Sequence, residues 1–275
     1  DGKSKTVLTL EEALEQKSSS SKNSKATGND ILDSALGTIT DAKDWTVDQL
    51  ADNPLTDAYN GLHQEYADLR FKVLKFGGKS LANGKGIENV IRKISDKVNE
   101  GENVVIVVSA RGNTTNDLEE LLDLAAQGKN YTKAFTHFEN YQKHEHKINL
   151  SEELKELTKL LEGVALLGDY SQKIKDQVLA FGELISAKVL ASLLENKGIN
   201  AKAFDARKLL VTDSNFGNSN VNEAASKEKS RKSFLNLDTD FVPVITGFIG
   251  SDINGNTTTL GRNGSNYSAS LFANF

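Results

Sequence analysis

Cysteine and methionine are both absent from this chain of 275 residues, and proline occurs only twice. The lack of cysteine excludes disulfide bonds and thiolate zinc sites. No stretch approaches the roughly 18 consecutive apolar residues of a membrane-spanning helix, and residues 1–9 lack the apolar core of a signal peptide. Acidic and basic residues are interleaved at a net charge of −5, without a basic stripe. We therefore expect a soluble cytoplasmic protein that binds neither nucleic acid nor membrane.

Residues 1–69 differ in composition from the rest of the chain. Positions 16–29 read QKSSSSKNSKATGN, a polar tract of low complexity that cannot bury a core. Weak helical spacing of apolar residues follows between Trp45 and Leu69. We expect an appended, partly disordered segment with one or two short helices.

From Phe71 onward the pattern becomes that of an α/β domain. FKVLKF at 71–76 predicts a strand that stops at a pair of glycines, and NVVIVV at 103–108 is a continuous apolar run typical of a strand buried on both faces. Apolar residues at helical spacing lie between them: Ile87, Val90, Ile91, Ile94 and Val98. A strand, a helix and a second strand in so few residues predict a parallel sheet.

Further elements are predicted along the remaining sequence. Helices are expected around 118–125, from a cap at Ser151, over 171–196, over 221–236 and over 264–275. Strands are expected near 201–204, 209–212 and 241–246, and a hairpin with a type I′ turn at Asn254-Gly255. We predict that residues 71–275 form a mainly parallel sheet sandwiched by helices, with a helical insertion. The strands that begin at Phe71, Asn103 and Phe241 should be central.

The first chemical motif is KFGGKS at 75–80. Two glycines between a strand and a helix can aim backbone N–H groups at an anion, and Lys75 adds a positive charge beside them. The alternative interpretation is a tight turn without a ligand. The spacing is not that of a Walker A loop.

A second glycine-rich loop, LGRNGSN at 260–266, precedes the final predicted helix. Such a loop can also hold an anion, and an arginine within it can clamp a carboxylate through two hydrogen bonds. A solvent-facing arginine in an ordinary turn is the alternative.

Two more motifs place polar groups near apolar segments. In Phe181-Gly182-Glu183 a carboxylate interrupts an apolar helix beside a glycine, so it could hold a substrate amine; a structural, ion-paired glutamate is the alternative. SARGNTTN at 109–116 follows the second strand, at the sheet edge where ligands of parallel sheets gather. Its alternative is a capped loop in which Asn116 caps the next helix.

Together the four motifs resemble the aspartate kinase family in their order and approximate spacing. The resemblance runs from about Phe71 to Phe275, and VITGFIGSDINGNTTTLGRNGSNYSAS at 244–270 is its most diagnostic part. Asn263 stands where many single-function members have glycine, which is more similar to the bifunctional aspartokinase–homoserine dehydrogenases. The resemblance implies the amino-acid kinase fold and a homo-oligomer. It also implies transfer of the γ-phosphoryl group of ATP, with Mg²⁺, to the β-carboxylate of L-aspartate, the first step of lysine, threonine and methionine biosynthesis.

The same resemblance implies roles for individual residues. Lys75 would neutralise the transferred phosphoryl group, Glu183 would bind the substrate ammonium group, and Arg262 its α-carboxylate. The other phosphate-site residues would be Gly77, Gly78, Ser80, Gly261 and Gly264. The other aspartate-site residues would be Ser109, Thr115, Phe248, Ser265 and Asn266. No protein side chain would bind the metal, and His144 and His146 are spaced so that they point to different sides of a helix.

Two positions depart from the family pattern. Lys79 stands where threonine or serine is usual, and Asn266 stands where an aspartate helps to organise the site. In the family, a nucleotide-binding half and regulatory domains follow the position of Phe275, so we expect this chain alone to bind L-aspartate weakly and to turn over ATP negligibly. Two alternatives remain open: a kinase acting on glutamate or N-acetylglutamate, and a non-catalytic aspartate-binding kinase fragment.

Overall fold

A computed structural model describes residues 71–143, 148–235 and 241–275. The chain divides into two units, Asp1–Arg70 and Phe71–Phe275, and the described residues all belong to the second. The expectations for the polar tract and short helices of residues 1–69, and for the pair His144 and His146, lie outside the described residues.

The described elements alternate between strands and helices. In chain order they are β1 (Phe71–Phe76), α1 (Lys85–Asn99), β2 (Asn103–Val108), α2 (Thr114–Ala126), α3 (Thr132–Lys143), α4 (Ser151–Leu167), α5 (Gln172–Glu195), β3 (Ala201–Phe204), a 3₁₀ turn (Ala206–Lys208), β4 (Val211–Thr212), α6 (Glu223–Leu235), β5 (Val242–Thr246), β6 (Ile249–Asp252), β7 (Thr257–Thr259) and α7 (Gly264–Asn274).

The main sheet has the strand order β1-β2-β5-β3, and its neighbouring strands are all parallel. The predicted parallel sheet is therefore confirmed. β2 and β5 lie inside it, but β1 borders only β2 among the described strands, so the prediction of a central β1 was wrong. The start of β1 is accordingly exposed, with 52% of the Phe71 surface accessible. A smaller sheet, β4-β6-β7, pairs β6 with β7 in an antiparallel hairpin.

Alternate residues of β2 enter two different hydrophobic cores. Ile106 and Val108 pack in the core formed with α1 to α5, whereas Val107 packs in a smaller core that includes Leu271 of α7. Both faces of the strand are thus covered, which explains why its sequence is apolar without alternation.

Helix α5 is the central helix of the domain. By length and composition it could cross a membrane, yet 78% of its most apolar window is buried inside the protein. It packs against α2, β3, β5 and β7, and its residues are buried on nearly every side. Its apolar character is therefore that of a core helix. Ser171 caps it by accepting a hydrogen bond from the Ile174 N–H.

Ser151 was predicted as a helix cap, and Asn116 was a cap only in the alternative interpretation of its loop; neither residue occupies a cap position. Ser151 is the first residue of α4 rather than its cap, and the side chain of Asn149 accepts the Ser151 N–H. Asn116 lies inside the first turn of α2, which begins at Thr114. Each helix therefore begins earlier in the chain than a cap at that residue would place it.

The hairpin between β6 and β7 has a different turn from the one predicted. A type I′ turn needs positive φ at both central residues, but in this hairpin only Gly255 has it, at 77°. The Asp252 N–H donates to the Asn256 carbonyl over 3.0 Å, which closes a three-residue loop. The Asp252 carboxylate accepts the N–H groups of Asn254 and Asn256. The predicted strand at 209–212 is also shorter, Val211–Thr212, because the N–H groups of Leu209 and Leu210 donate back to the Ala206 carbonyl.

Candidate active site

The glycine pair after β1 lies against the loop that follows β2. The Gly78 carbonyl accepts the Gly112 N–H over 2.9 Å, and a Cβ on Gly78 would lie 2.6 Å from the Ala110 carbonyl oxygen. Only glycine fits there without a backbone shift. Within the described residues the N–H groups of Gly78 and Lys79 donate no hydrogen bond, so they are available to an anion. Helix α1 begins only at Lys85, so these N–H groups belong to the turn after β1 and not to a helix N-terminus.

Arg111 holds the two loops together from behind. Its side chain is only 1% exposed, and it donates to the carbonyl of Leu81 over 3.2 Å, to the carbonyl of Gln142 over 3.4 Å and to the side chain of Asn83. It thereby links the end of the glycine loop to the end of α3. Sequence reasoning placed Arg111 inside a motif without assigning it this role.

Glu183 projects from α5 toward the loop after β2. Gly182 makes this possible, because a Cβ there would lie 2.7 Å from the Ala110 side chain. Glu183 is 3% exposed; its Oε1 accepts the Ala110 N–H over 2.9 Å, and its Oε2 has no hydrogen-bond partner. Burial raises the pKa of the Glu183 carboxyl to about 8, although the hydrogen bond from Ala110 opposes this shift. A buried carboxylate oxygen without a partner is a site for a cation.

The glycine-rich loop before α7 packs against a strained turn. Phe248 has φ 66°, and the Ile249 N–H donates to the Gly247 carbonyl over 2.7 Å, which makes a γ-turn of the rare, strained form. A Cβ on Gly264 would lie 2.8 Å from the Phe248 ring, and one on Gly247 would lie 2.8 Å from Ser265. The first turn of α7 therefore sits directly on the end of β5.

These elements enclose one cavity of about 340 Å³. Residues named from the sequence make up most of its lining: Lys75, Gly78, Ser109, Thr115, Glu183, Phe248, Gly261, Gly264, Ser265 and Asn266. Four separate motifs thus converge, as expected from the carboxyl ends of neighbouring parallel strands.

Three predicted residues do not line the cavity, and three lining residues were missed. Gly77, Ser80 and Arg262 are not in the lining, and the side chains of Ser80 and Arg262 are exposed. The missed lining residues are Ala110, Gly112 and Asn263. Each lies inside a motif that the sequence had singled out, so the signal was the motif as a whole rather than a distinctive side chain.

Charged side chains of both signs line the cavity. Among the residues that the structure describes, Glu183 is the only acidic residue of the lining and Lys75 the only basic one. Thr115 and Ser265, which lie in the first turns of α2 and α7, both line it as well. Helix N-termini carry partial positive charge and free N–H groups. The cavity can therefore hold a molecule with one ammonium group and several anionic oxygens.

Residues 70–275 match the profile of the amino acid kinase family, and the chain belongs to that family. Within it, the chain is similar to aspartokinases. It is 31% identical to lysine-sensitive aspartokinase 3 of Escherichia coli over 73% of this chain and 45% of that one. It is 27% identical to the bifunctional aspartokinase/homoserine dehydrogenase of Buchnera aphidicola over 74% of this chain and 26% of the other.

A solved structure shows the same fold. The structure of E. coli aspartokinase III in complex with aspartate and ADP matches with a TM-score of 0.65 at 30% identity. The match covers 74% of this chain and 46% of that one. The resemblance seen in the motifs and the predicted amino-acid kinase fold are both confirmed, and the chain spans less than half the length of these relatives.

Proposed function

We propose that the protein is an aspartate kinase that phosphorylates the β-carboxylate of L-aspartate with ATP, giving 4-phospho-L-aspartate. The observation that carries the proposal is the unpartnered Glu183 oxygen in a cavity that Lys75 and two helix N-termini also line. A cytoplasmic location, a homo-oligomeric assembly and a place at the first step of lysine, threonine and methionine biosynthesis belong to the same proposal and rest on the similarity to aspartokinases.

The substrate contacts follow from the charges of the site. Glu183 binds the ammonium group, since its Oε2 needs a donor and its Oε1 is already bonded to Ala110. Ser109, Thr115, Ser265 and Asn266 supply polar groups around the carboxylates, and Phe248 forms an apolar wall. Arg262 is flanked by two lining residues, and in this proposal its long, exposed side chain turns in to bind the α-carboxylate.

Catalysis rests on positioning and on neutralising charge. The attacking β-carboxylate is already ionised at neutral pH, so no general base is needed, and phosphoryl transfer proceeds mainly through alignment and electrostatic stabilisation. When bound, ATP supplies the phosphoryl group. Lys75 and the free N–H groups of Gly78 and Lys79 would hold the phosphate oxygens on one side. On the other side Gly261 would do so, and Gly264, whose N–H already donates to the Gly261 carbonyl over 3.1 Å, would leave room for them.

Mg²⁺ also belongs to this proposal. No group of three potential ligand side chains comes together in the part of the chain that the structure describes, and the only carboxylate of the cavity is Glu183. Mg²⁺ is commonly held by one or two carboxylates together with substrate phosphates and water. The described residues therefore fit a metal held mainly by phosphate oxygens and water, and they assign no side chain to it.

The test uses binding and turnover together. Isothermal titration calorimetry of the 275-residue chain should show L-aspartate binding in preference to L-glutamate and N-acetyl-L-glutamate. The last of these lacks the ammonium group that Glu183 requires. Turnover should be measured on the protein as its gene encodes it, with hydroxylamine present to trap the acyl phosphate as a hydroxamate.

Two lysine variants provide the matched comparison for turnover. Lys75→Ala should reduce hydroxamate formation at least ~100-fold, because charge stabilisation of a phosphoryl transition state is lost. Lys79→Ala keeps the backbone N–H assigned to the phosphate and removes only an exposed side chain outside the cavity lining, so it should stay within about threefold of the parent. Preferred binding of L-glutamate or N-acetyl-L-glutamate would favour a kinase acting on that substrate instead. Binding of L-aspartate without any hydroxamate would favour a non-catalytic aspartate-binding protein.

A further inference from the structure

A second buried carboxylate on α5 lies outside the cavity. Asp176 is fully buried, about two helical turns before Glu183. Its Oδ2 accepts the N–H groups of Thr259 and Gly217 over 2.9 and 2.8 Å. Its Oδ1 accepts the Thr259 hydroxyl and the Gln172 side chain, both over 3.1 Å. Asp176 forms no salt bridge within the described residues, so these four donors satisfy the carboxylate.

Both backbone groups held by Asp176 lead to the loop before α7. Thr259 ends β7, two residues before Gly261. Gly217 lies inside a turn that is closed by the bond from the Asn218 N–H to the Asn215 carbonyl. Asn218 packs so closely on Gly261 that a side chain at position 261 would collide with it. The Ser219 N–H also donates to the Thr259 carbonyl over 2.9 Å. Asp176 therefore fixes the backbone on two sides of Gly261.

We propose that Asp176 is a positioning residue that sets the distance between Glu183 and the Gly261–Asn266 loop, and so controls the binding of an amino acid that must reach both. The inference rests on the proposed function for the nature of the ligand. Asp176 and Glu183 belong to one rigid helix, separated by about 10 Å of axial rise. The helix thus carries the ammonium site and, through Asp176, also holds the loop that lines the same cavity.

Asp176→Asn tests the idea with little change in shape. An amide has one oxygen, whereas the native carboxylate uses both, so either the pair of backbone N–H groups or the Thr259 hydroxyl and Gln172 loses its acceptor. The loop should then shift or loosen relative to Glu183. Misplacement of binding groups by about 1 Å is sufficient to cause large losses.

Titration with two ligands distinguishes a positioning role of Asp176 from a general loss of structure in the variant. L-Aspartate is held at both its ammonium and its carboxylates, whereas butanedioate lacks the ammonium and does not depend on the distance to Glu183. We expect Asp176→Asn to weaken L-aspartate binding by roughly 10- to 100-fold and butanedioate binding by no more than about threefold. The measurement is calorimetric titration of both ligands into the 275-residue chain.

Two variants serve as controls. Thr259→Val removes only one of the four bonds to Asp176 and keeps both backbone N–H groups, so its effect on L-aspartate should be smaller and in the same direction. Ile94→Val trims a fully buried side chain of α1 and lowers stability without touching the loop. It should leave the ratio of the two affinities unchanged. If Asp176→Asn does not fold, the graded effect of Thr259→Val carries the test.

Hydrogen–deuterium exchange without ligand gives an independent outcome. Exchange of the peptide that covers 257–266 should increase in Asp176→Asn and not in Ile94→Val. Equal losses for both ligands together with unchanged exchange would overturn the positioning role. If the parent chain binds no L-aspartate, the proposed function fails, and exchange alone then decides whether Asp176 holds the loop.

Discussion

Gln142 donates a hydrogen bond from Nε2 to the hydroxyl of Thr114 over 2.7 Å, which joins the end of α3 to the first residue of α2. Both side chains are fully buried. Thr115, the next residue, lines the cavity. The helical insertion therefore supports the candidate site through this buried contact as well as through the bond from Arg111 to the Gln142 carbonyl.

Removing this contact should destabilise the domain. In Thr114→Val the Gln142 amide loses its acceptor while the volume stays similar, so we expect a loss of about 1–3 kcal/mol in the free energy of unfolding. Thr114→Ser keeps the hydroxyl and should lose less than about 1 kcal/mol. Urea denaturation measures both. An unchanged stability of Thr114→Val would show that the hydrogen bond does not stabilise the domain, and a larger loss in Thr114→Ser would assign the stability to the methyl group.

The two glycines after β1 should respond differently to alanine. A Cβ on Gly78 meets the Ala110 carbonyl at 2.6 Å, whereas one on Gly77 meets only the flexible Lys75 ammonium at 3.4 Å. We expect Gly78→Ala to cost about 1–3 kcal/mol through overpacking, and Gly77→Ala to stay within about 0.5 kcal/mol of the parent. Thermal unfolding provides the comparison, and a tolerated Gly78→Ala would refute the close packing of the two loops.

Binding of L-aspartate should depend on pH through Glu183. Burial raises the pKa of its carboxyl to about 8, so at pH 7 most of the free protein carries the protonated form. An ammonium ligand favours the ionised form, and binding must then release a proton. Affinity should rise by up to about tenfold per pH unit from pH 6 toward pH 8 and then level off. Titrations in buffers of different ionisation enthalpy would detect the proton, and Glu183→Gln should abolish both the release and the pH dependence.

Stability of the ligand-free protein should also depend on Glu183. The folded pKa of this carboxyl is raised above its ordinary value of 4.5, so its contribution is fully present below pH 4.5 and is lost as pH rises through about 8. The loss is on the order of a few kcal/mol. Glu183→Gln cannot ionise, so the difference in unfolding free energy between variant and parent should grow from pH 5 to pH 8.5. A constant difference across that interval would show that the carboxyl titrates normally.

The sequence predicted the residues of the candidate site better than it predicted the hydrogen bonds that hold those residues in place. Each site motif is a local pattern, with small or polar residues directly after a strand or inside an apolar helix, so it can be recognised without knowing the topology. The bonds that hold the motifs together span long stretches of chain. Arg111 reaches Gln142 over 31 positions, and Asp176 reaches Thr259 over 83. Such partners are determined by the strand order, which local patterns do not reveal.

The same limit explains why β1 was wrongly predicted to be a central strand. β1 and β2 have similar apolar sequences, and only the neighbour on the far side distinguishes an inner strand from an outer one. That neighbour is β5, more than a hundred residues further along the chain. The prediction of a type I′ turn in the hairpin was wrong for a different reason: Asn-Gly is compatible with more than one loop length.

The strand order also governs how the domain can assemble. β5 lies between β2 and β3, although both of those strands precede it in the chain. Until residues 242–246 are available, β2 and β3 each present an unpaired edge, and such edges invite pairing with other chains. Contacts between distant segments also slow folding. A nascent chain that has not yet released β5 from the ribosome is therefore the species most exposed to aggregation, and the one that a chaperone would have most reason to bind.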